Sequence, residues 1–556
     1  MSSLTEELRA PSVGGVLSPA WVRVLDRDVR RDEPPQVADG HADARKTIMP
    51  ARRSILWPVF SIVAVFWILM MGTLVQRMRS GVPSMMPERP PGVFEGIGRE
   101  TRWMGVYLRG KKIGHAVTSS ERRPDGTVRL FDRSVMRLTV QGTVEEITTK
   151  LDCVARGDYS LESLSFEMKS GDHQLEVEGR VEGGRLFVTL ITAGDTSDLT
   201  FTLPKETFLP ASMELLLGGK DLRPGETYAF PLFDPMTLTQ EQARVTVIGT
   251  EPLSIEGEEV VATKLDVWFL GISQSVWLDD LGRILKEEAP MGLVMVRESP
   301  ESAVAWGPET GSVDLLTLYS VPVDETIAVP RDLIYVKAEM SGCDPDRLEL
   351  ERGRQRVLSE DPCVVEITAA QPSSVDGPEA KYSILLYGDA LRPTPLIQAA
   401  HPEIVARTMA ILAQDPKTQG LATPALDPWS KSKRLATWVH RHVRKIPTAS
   451  MPSALDVLHT LEGDCNEHAV LLAALTRAAG IPAKVILGVV YQDGAFYYHA
   501  WNRVYVGEWV DIDAAFGQEV ADASHIALLE GDAEQLPQLL GLIGQLDIDI
   551  LEYRYR

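Results

Sequence analysis

The sequence has 556 residues and a formal net charge of -22, with 56 Lys and Arg against 78 Asp and Glu. This length exceeds what one hydrophobic core supports, so several domains are predicted. Hydrophobic residues make up 44% and charged residues 24%, as in ordinary folded proteins, which excludes general disorder. The acidic balance argues against a nucleic-acid partner.

The N-terminal part predicts a membrane anchor. Residues 1–54 are polar and predict a cytoplasmic tail, and residues 55–75 form an uncharged apolar run of 21 residues. As a helix, this run spans roughly 30 Å, the thickness of a bilayer's hydrocarbon core. A cleaved signal peptide and a buried core helix are the alternatives. The run is longer than the apolar part of a signal peptide, no small-residue cleavage site follows it, and charged residues bracket it.

The positive charges around the run predict its orientation. Four cations precede it and two follow it, namely Arg45, Lys46, Arg52 and Arg53, then Arg77 and Arg79. The excess on the N-terminal side places the N-terminus in the cytoplasm. The sequence therefore predicts a single-pass membrane protein whose bulk lies on the periplasmic or extracellular side.

The middle of the chain is predicted to be β-rich. A Pro-rich linker over residues 76–101 leads into a predicted antiparallel β accessory domain over residues 102–300. Alternating runs such as Arg185–Leu190 indicate its strands, and turns such as Pro124-Asp125-Gly126 indicate its hairpins. Residues 312–392 predict a small β-module.

The four cysteines have different predicted roles. Cys343 and Cys363 could form a disulfide if the domain is exported, whereas Cys153 lies in a strand-like run and is predicted to be an inert core residue. Cys465 follows the turn-forming Gly463-Asp464 and begins an apolar helix. Unpaired N–H groups and the helix dipole at such a position favour a thiolate.

Residues 396–556 predict the catalytic domain. Three helices lead to Cys465, a fourth follows, and three strands then form an antiparallel meander. The predicted helices are His401–Gln414, Lys431–Arg444, Ser453–Leu461 with Ser453 as cap, and Cys465–Ala479 ended by Gly480 and Pro482. The predicted strands are Lys484–Tyr491, Phe496–Val506 and Trp509–Asp513.

The order Cys, His, Asp is the order of a nucleophile, a base and an orienting acid. His499 could take the thiol proton of Cys465, and a carboxylate on the next strand could fix its tautomer. Asp511 and Asp513 share a strand face, so alternation alone allows either. Such an ion pair would lower the pKa of the cysteine into the range of about 3.5–7.5.

Other residues near these motifs allow either a functional or a structural interpretation. His468, three residues after Cys465 on the same helix, is a second candidate base. It has no obvious carboxylate on a facing strand to set its tautomer, so packing or a helix hydrogen bond is the preferred interpretation. Asp464 and Glu467 are predicted to serve the helix N-terminus. Trp501 and Trp509 could line a substrate groove, but aromatic strand residues usually belong to the core.

Four motifs in this order resemble the bacterial transglutaminase-like family of the papain-like superfamily. They are Gly463-Asp464-Cys465-x-x-x-Ala469, Arg477 to Lys484, His499-Ala500-Trp501 and Trp509-x-x-x-Asp513. The resemblance covers about residues 396–530 and implies an α+β catalytic domain with Cys465 as nucleophile, His499 as base and Asp513 as orienting acid. It implies attack on a carboxamide through a thioester. Where the family usually has Pro-Thr after the aspartate, this chain has Ala514-Ala515.

The leading hypothesis is a membrane-anchored cysteine amidase, protease or transamidase acting on a peptide or protein amide. Whether water or an amine resolves the acyl-enzyme is open. No cofactor or metal is predicted, because no calcium loop or zinc-type spacing is found. The rival hypotheses are a cell-envelope scaffold or binding protein that keeps the fold for recognition, and a disulfide exchanger, which the absence of a C-x-x-C pattern at Cys465 disfavours.

Overall fold

The structure is a computed structural model that describes residues 99–140, 142–171, 173–204, 206–306, 320–342, 344–345, 348–370, 387–413, 426–446, 453–532, 538–539 and 541–556. The predicted cytoplasmic tail, the predicted membrane span and all but the last residues of the predicted linker lie outside these ranges. Within them, no helix has both the length and the apolar character needed to cross a bilayer.

Fourteen antiparallel strands form one large sheet, in the order β8-β7-β6-β5-β4-β3-β2-β1-β14-β13-β12-β11-β10-β9. Two short helices accompany it, α1 (Met213–Leu217) and α2 (Pro300–Val304). The strands are β1 (Arg99–Leu108), β2 (Lys111–Arg122), β3 (Val128–Val140), β4 (Thr143–Ala155), β5 (Leu161–Ser170), β6 (His173–Glu182), β7 (Arg185–Thr192), β8 (Asp195–Thr202), β9 (Thr227–Asp234), β10 (Thr239–Ile255), β11 (Glu258–Phe269), β12 (Ile272–Leu278), β13 (Ile284–Ala289) and β14 (Leu293–Arg297).

Local sequence explains the hairpins of this sheet. Between β2 and β3, Asp125 accepts a hydrogen bond from the backbone N–H of Thr127 at 3.0 Å, and Gly126 adopts a φ of 86°. That backbone conformation strains residues other than glycine. Along β7, Leu186, Val188 and Leu190 are buried on one face, as the alternation predicts. Cys153 is a buried free thiol in the core of this sheet, as predicted.

In its described residues, the C-terminal part combines four α-helices with a five-stranded sheet. Helix α6 packs against the central strands β21 and β22, and β15, β23 and β24 complete the sheet. Helix and strand bounds agree with the predicted ones within three residues. The helices are α3 (Pro402–Ala413), α4 (Pro428–His442), α5 (Ala454–Thr460) and α6 (Cys465–Ala478). The strands are β15 (Ser320–Pro322), β21 (Ala483–Gln492), β22 (Ala495–Tyr505), β23 (Trp509–Ile512) and β24 (His525–Gly531), with a short parallel pair β19 (Arg444–Lys445) and β20 (Glu462–Gly463).

A third sheet joins the predicted β-module to the end of the chain. Its order is β17-β18-β16-β25, formed by β16 (Leu333–Ser341), β17 (Gln355–Glu360), β18 (Cys363–Thr368) and β25 (Asp547–Tyr555). One hydrophobic core runs through this sheet and the five-stranded sheet, because Val336 of β16, Leu471 of α6 and Ile548 of β25 belong to the same buried cluster. The suggested disulfide is not formed, since Cys363 is a free thiol. Its suggested partner Cys343 lies outside the described residues.

The role of β25 in this core generates a stability prediction. Ile548 is 3% exposed, whereas Leu551 on the same strand is 49% exposed. Ile548→Ala should lower the free energy of unfolding by about 2–5 kcal/mol, because it leaves a cavity in the shared core. Leu551→Ala, the matched control, should change it by less than about 0.5 kcal/mol. Chemical denaturation followed by tryptophan fluorescence measures both, and equal effects would show that β25 does not belong to the core.

Candidate active site

Cys465 is the first residue of helix α6, and a capping box fixes that position. The side chain of Asp464 accepts a hydrogen bond from the N–H of Asn466 at 2.9 Å and another from Glu467. In return, Glu467 accepts the N–H of Asp464 at 2.8 Å. These reciprocal bonds satisfy donors that a helix start would otherwise leave open. They confirm the predicted capping roles of Asp464 and Glu467.

Gly463 allows the chain to enter this helix sharply. Its φ is 148°, and a Cβ atom there would lie 2.3 Å from Cβ of Glu467. A larger residue would therefore push away the side chain that closes the capping box. The Gly-Asp-Cys sequence is thus explained by backbone geometry as well as by the position of the thiol.

Cys465 and His499 line the same cavity, which has a volume of about 360 Å³. The cavity lies between the start of α6, the strands β21 and β22, and the turn after β23. Its lining residues are Lys445, Ile446, Asp464, Cys465, Asn466, His468, Val490, Gln492, Tyr497, Tyr498, His499, Ala515 and Phe516. A chain segment or side chain carrying an amide could enter a space of this size.

His499 is held by Asp513. Its Nε2 lies 2.8 Å from Oδ2 of Asp513, and both side chains are buried. The other carboxylate oxygen of Asp513 accepts the N–H of Phe516 at 3.0 Å. An Nε2–H directed at a carboxylate leaves Nδ1 as the nitrogen able to accept a proton. Within the described residues, no hydrogen bond joins the sulfur of Cys465 to this imidazole, so the two groups share the cavity without a formed bond.

Asp511 has a different set of partners. Arg503 donates to both of its oxygens at 2.5 and 3.1 Å, Arg354 donates at 3.0 Å, and Trp501 donates at 3.1 Å. Arg503 also pairs with Glu530 at 2.6 Å. Asp511 is therefore committed to a buried ion-pair network, and the structure brings Asp513 rather than Asp511 to His499.

The structure also separates the two aspartates by backbone path. Strand β23 ends at Ile512, and Asp513 pairs with Gln518 across a tight turn. The N–H of Asp513 donates to Gln518 at 3.0 Å, and the N–H of Gln518 donates back at 2.8 Å. Because Asp513 begins this turn instead of continuing the strand, strand alternation no longer determines where its side chain points.

His468 differs from His499 in its partners. Its Nδ1 lies 2.6 Å from the backbone oxygen of Asp464, so Nδ1 carries the proton and donates it. Its Nε2 is buried without a hydrogen-bond partner. Burial lowers the pKa of this imidazole, which keeps it neutral. Within the described residues, no side-chain carboxylate bonds to it.

The two predicted substrate-lining tryptophans lie elsewhere. Trp501 is 1% exposed and packs with Ile486 and Ala527. Trp509 packs edge-on against Tyr387 at 5.1 Å between ring centroids. Neither indole lines the cavity that holds Cys465. The groove prediction for these residues finds no support in the described structure.

Burial sets the protonation of the cysteine and the imidazole. Burial raises the pKa of Cys465 well above its ordinary value, the carboxylate of Asp464 adds to this rise, and the backbone N–H of Ala500 opposes it. Burial also lowers the pKa of His499, against the opposing effect of Asp513. Both directions favour a neutral thiol beside a neutral imidazole, whereas the sequence predicted a lowered thiol pKa. The desolvation of a buried charge outweighs the helix terminus here.

Two residues that sequence reasoning missed contact the His499–Asp513 pair. The ring of Phe516 stacks on His499, with 4.7 Å between centroids and 19° between planes. The Nε2 atom of His525 lies 3.1 Å from the same oxygen of Asp513 that His499 contacts. The apolar run Ile526–Leu529 could have indicated the strand that His525 begins, but nothing in the local sequence marks His525 or Phe516 as part of the site.

Among the residues that the structure describes, two groups of side chains are close enough together to hold a metal ion. His499, Asp513 and His525 are buried, and hydrogen bonds of 2.8 and 3.1 Å already join them. The second group lies near the surface and consists of Asp195, Glu403 and His459, the last two bonded at 2.9 Å. Hydrogen bonds account for the first group, and nothing beyond proximity marks the second.

The part of the chain that carries this site matches the sequence profile of a known family. Residues 415–514 match the sequence profile of the Transglutaminase-like superfamily, which confirms the resemblance predicted from the motifs. The matched segment contains Cys465, His499 and Asp513. No curated protein sequence matches the chain.

Solved structures show weaker likenesses. One, from Cytophaga hutchinsonii and provisionally described as a cysteine protease, is 16% identical and covers 40% of this chain and 86% of its own, with a TM-score of 0.26. A beta-barrel-like protein of a domain of unknown function from Brucella abortus is 14% identical over 36% of this chain and 94% of its own, with a TM-score of 0.28. A Parabacteroides distasonis protein, provisionally described as a protease, is 12% identical. The match covers 63% of this chain and 64% of that protein, with a TM-score of 0.18. With TM-scores this low, these likenesses say nothing about activity.

The different partners of Asp511 and Asp513 generate a paired prediction. Asp511→Asn removes the carboxylate shared by the buried guanidinium groups of Arg503 and Arg354, which leaves Arg503 with Glu530 alone, and it should lower the free energy of unfolding by about 3–5 kcal/mol. Asp513→Asn should cost less stability, because His499 is already neutral and His525 can lose a proton, but it should slow alkylation of Cys465 by iodoacetamide. Chemical denaturation and mass spectrometry of the labelled peptide measure the two effects. The assignment of Asp513 fails if Asp511→Asn is the variant that slows labelling in folded protein.

Proposed function

We propose that the C-terminal part of the chain is a cysteine-dependent amide hydrolase or acyltransferase that acts through a thioester on Cys465. The observation that carries the proposal is the shared cavity of Cys465 and His499, together with the bond from Nε2 of His499 to Asp513. This arrangement presents Nδ1 of His499 as the base for the thiol proton. His468 lines the same cavity but has no side-chain carboxylate bonded to it in the described structure.

In the proposed first half-reaction, the sulfur of Cys465 attacks the carbonyl carbon of a peptide or protein amide. The thiol proton moves to Nδ1 of His499, and the sulfur–carbon bond forms. The resulting imidazolium, stabilised by Asp513, gives its proton to the departing nitrogen as the carbon–nitrogen bond breaks. The raised pKa of Cys465 and the lowered pKa of His499 favour a neutral thiol and a neutral imidazole at rest, so we expect proton transfer to accompany the attack.

The start of α6 offers a donor for the oxygen that becomes negative in this step. The side chain of Asp464 engages the N–H groups of Asn466 and Glu467, and its carbonyl accepts the N–H of His468 at 3.1 Å. None of these capping bonds in the described turn uses the N–H of Cys465. This N–H, at the positive end of the helix dipole, can donate to the oxyanion.

The second half-reaction releases the acyl group from Cys465. Water gives hydrolysis and a primary amine gives transfer, and the same base can activate either one. No feature of the described residues selects between water and an amine. Both outcomes release an amine or ammonia from the first substrate.

Three variants test the proposed chemistry. Cys465→Ala should abolish ammonia or amine release from a peptide amide library while leaving thermal unfolding unchanged. His499→Gln should slow turnover about 10²–10⁴-fold, as expected for loss of a general base. His468→Gln is the matched control, since it alters the other histidine of the cavity, and it should retain turnover within about tenfold.

Two results would contradict these assignments. If His468→Gln lost turnover and His499→Gln kept it, the base would be His468. Folded wild-type protein that released nothing from the library, with a cysteine no more reactive in the wild type than in His499→Gln, would favour the recognition scaffold instead.

We also propose that residues 55–75 anchor the protein in a membrane, with the catalytic part on the periplasmic or extracellular side. The proposal rests on the length and the uncharged composition of this run and on the flanking cations. Full-length protein should stay in the membrane pellet after alkaline carbonate extraction, and a variant lacking residues 55–75 should move to the supernatant. Full release of the wild-type protein would contradict the anchor.

A further inference from the structure

A second histidine contacts the carboxylate that holds the proposed base. His525, the first residue of β24, is 1% exposed, and its Nε2 lies 3.1 Å from Oδ2 of Asp513. Nε2 of His499 lies 2.8 Å from the same oxygen. One buried carboxylate oxygen therefore accepts hydrogen bonds from two imidazoles.

The other side of the His525 ring faces a second carboxylate. Its Nδ1 lies 3.4 Å from Oδ1 of Asp522. Asp522 is held in turn by Arg331 at 2.7 Å, by the side chain of Gln518 at 2.7 Å and by the N–H of Ser524 at 2.8 Å. Because an acceptor faces each nitrogen, the arrangement favours the protonated ring, which can donate from both nitrogens.

The charges around His525 support that state. Burial opposes the charged ring, but Asp522 and Asp513 outweigh it and raise the pKa of His525. Arg354 donates to the backbone oxygen of His525 at 3.2 Å, so it contacts the strand and not the ring nitrogens. The titratable and charged groups facing His525 from the surrounding elements are Asp513, Asp522, His499, Arg331 and Arg354.

Aromatic rings fix the plane of this imidazole. Trp501 contacts it edge-on at 5.1 Å between centroids, and Phe516 does so at 6.2 Å. Phe516 also stacks on His499 and carries Arg331 over its ring at 4.2 Å. The same ring therefore restrains both histidines that share Asp513.

We propose that His525 is a positioning residue that fixes the carboxylate of Asp513 for His499, within a buried chain of side chains His499–Asp513–His525–Asp522. The proposal rests on the proposed role of Cys465 and His499. In this chain, the cation of His525 offsets part of the charge of Asp513. Asp513 then orients Nε2–H of His499 without holding His499 in its protonated form, and Nδ1 stays free to take the thiol proton.

Two amide variants separate the two bonds of His525. In His525→Gln, the side-chain amide reaches the place of Nε2 and can still donate to Asp513. In His525→Asn, the shorter amide reaches only the place of Nδ1. This variant therefore keeps the hydrogen bond to Asp522 and loses the hydrogen bond to Asp513. Neither variant carries the positive charge, and the two differ by one methylene group.

The readout is the rate at which iodoacetamide alkylates Cys465, followed across pH by mass spectrometry of the labelled peptide. In this step the sulfur–carbon bond forms, iodide leaves, and His499 takes the thiol proton. His525→Asn should slow alkylation about 10- to 100-fold, the factor expected when a hydrogen bond to a charged group is lost. His525→Gln should stay within about fivefold of wild type at its best pH.

The pH profile separates positioning from simple structural support. Without the cation of His525, Asp513 stabilises the protonated form of His499 more strongly, so the pKa of His499 should rise. The acid limb of the alkylation profile should therefore move to higher pH in His525→Gln. Thermal unfolding of each variant shows whether it is folded at the pH of the measurement.

The outcomes distinguish this proposal from the one it rests on. If His499→Gln slows alkylation but folded His525→Asn matches wild type, the positioning role is overturned while the proposed function stands. If His525→Asn does not fold, an unshifted acid limb in His525→Gln overturns the role by itself. If His499→Gln alkylates as fast as wild type, the proposed function fails, and the positioning role fails with it.

Discussion

The buried carboxylate of Asp513 is the constraint on which the site depends. A carboxylate removed from water must be surrounded by donors, or it becomes protonated. Asp513 is fully buried, and His499, His525 and the N–H of Phe516 supply those donors. Burial opposes its ionisation, but the two histidines outweigh burial and hold the pKa of Asp513 below its usual range. Satisfying this one charge therefore orients the imidazole of His499, which lines the same cavity as Cys465.

The same requirement explains the neighbouring network around Asp511. Burial again opposes ionisation, and the guanidinium groups of Arg503 and Arg354 outweigh it and lower the pKa of Asp511. Arg354 lies in the turn before β17, in the small sheet, so this ion pair ties that sheet to the meander that carries His499. The pair of Arg354 and Asp511 is a specific contact between the two sheets, because either charge would be costly if it were buried without its partner.

The sequence predicts the local features of this site and the residues contained in the family motifs, and it misses the contacts made by residues outside those motifs. The capping residues Asp464 and Glu467, the stop at Gly480 and the helical period of α6 are local signals, and the structure confirms them. Strand β25 pairs with β16 about two hundred residues earlier, and no local pattern reveals such a partner. His525, at the start of an apolar strand, also has no local sequence pattern that marks it. Its role is indicated only by its contacts with Asp513 and Asp522.

The choice between Asp511 and Asp513 and the pKa of Cys465 both depend on tertiary contacts. Strand alternation left the two aspartates equivalent, and the motif Trp509-x-x-x-Asp513 favoured Asp513. The partners Arg503 and Arg354 of Asp511 and the turn after Ile512 are the physical basis of that difference. The helix terminus predicted an acidic thiol, but burial beside Asp464 raises the pKa of Cys465 instead. Burial and charge partners come from the tertiary structure, so a pattern along the chain could not predict the rise in the pKa of this thiol.

The central claim is that an acyl group passes through the sulfur of Cys465. Acid quenching of the protein during exposure to an amide substrate, followed by peptide mapping by mass spectrometry, tests it most directly. The account predicts the acyl mass on the peptide containing Cys465, with its loss on treatment with hydroxylamine, as expected for a thioester. An acyl group on another residue, or release of product with no adduct on Cys465 at any time during turnover, would contradict it.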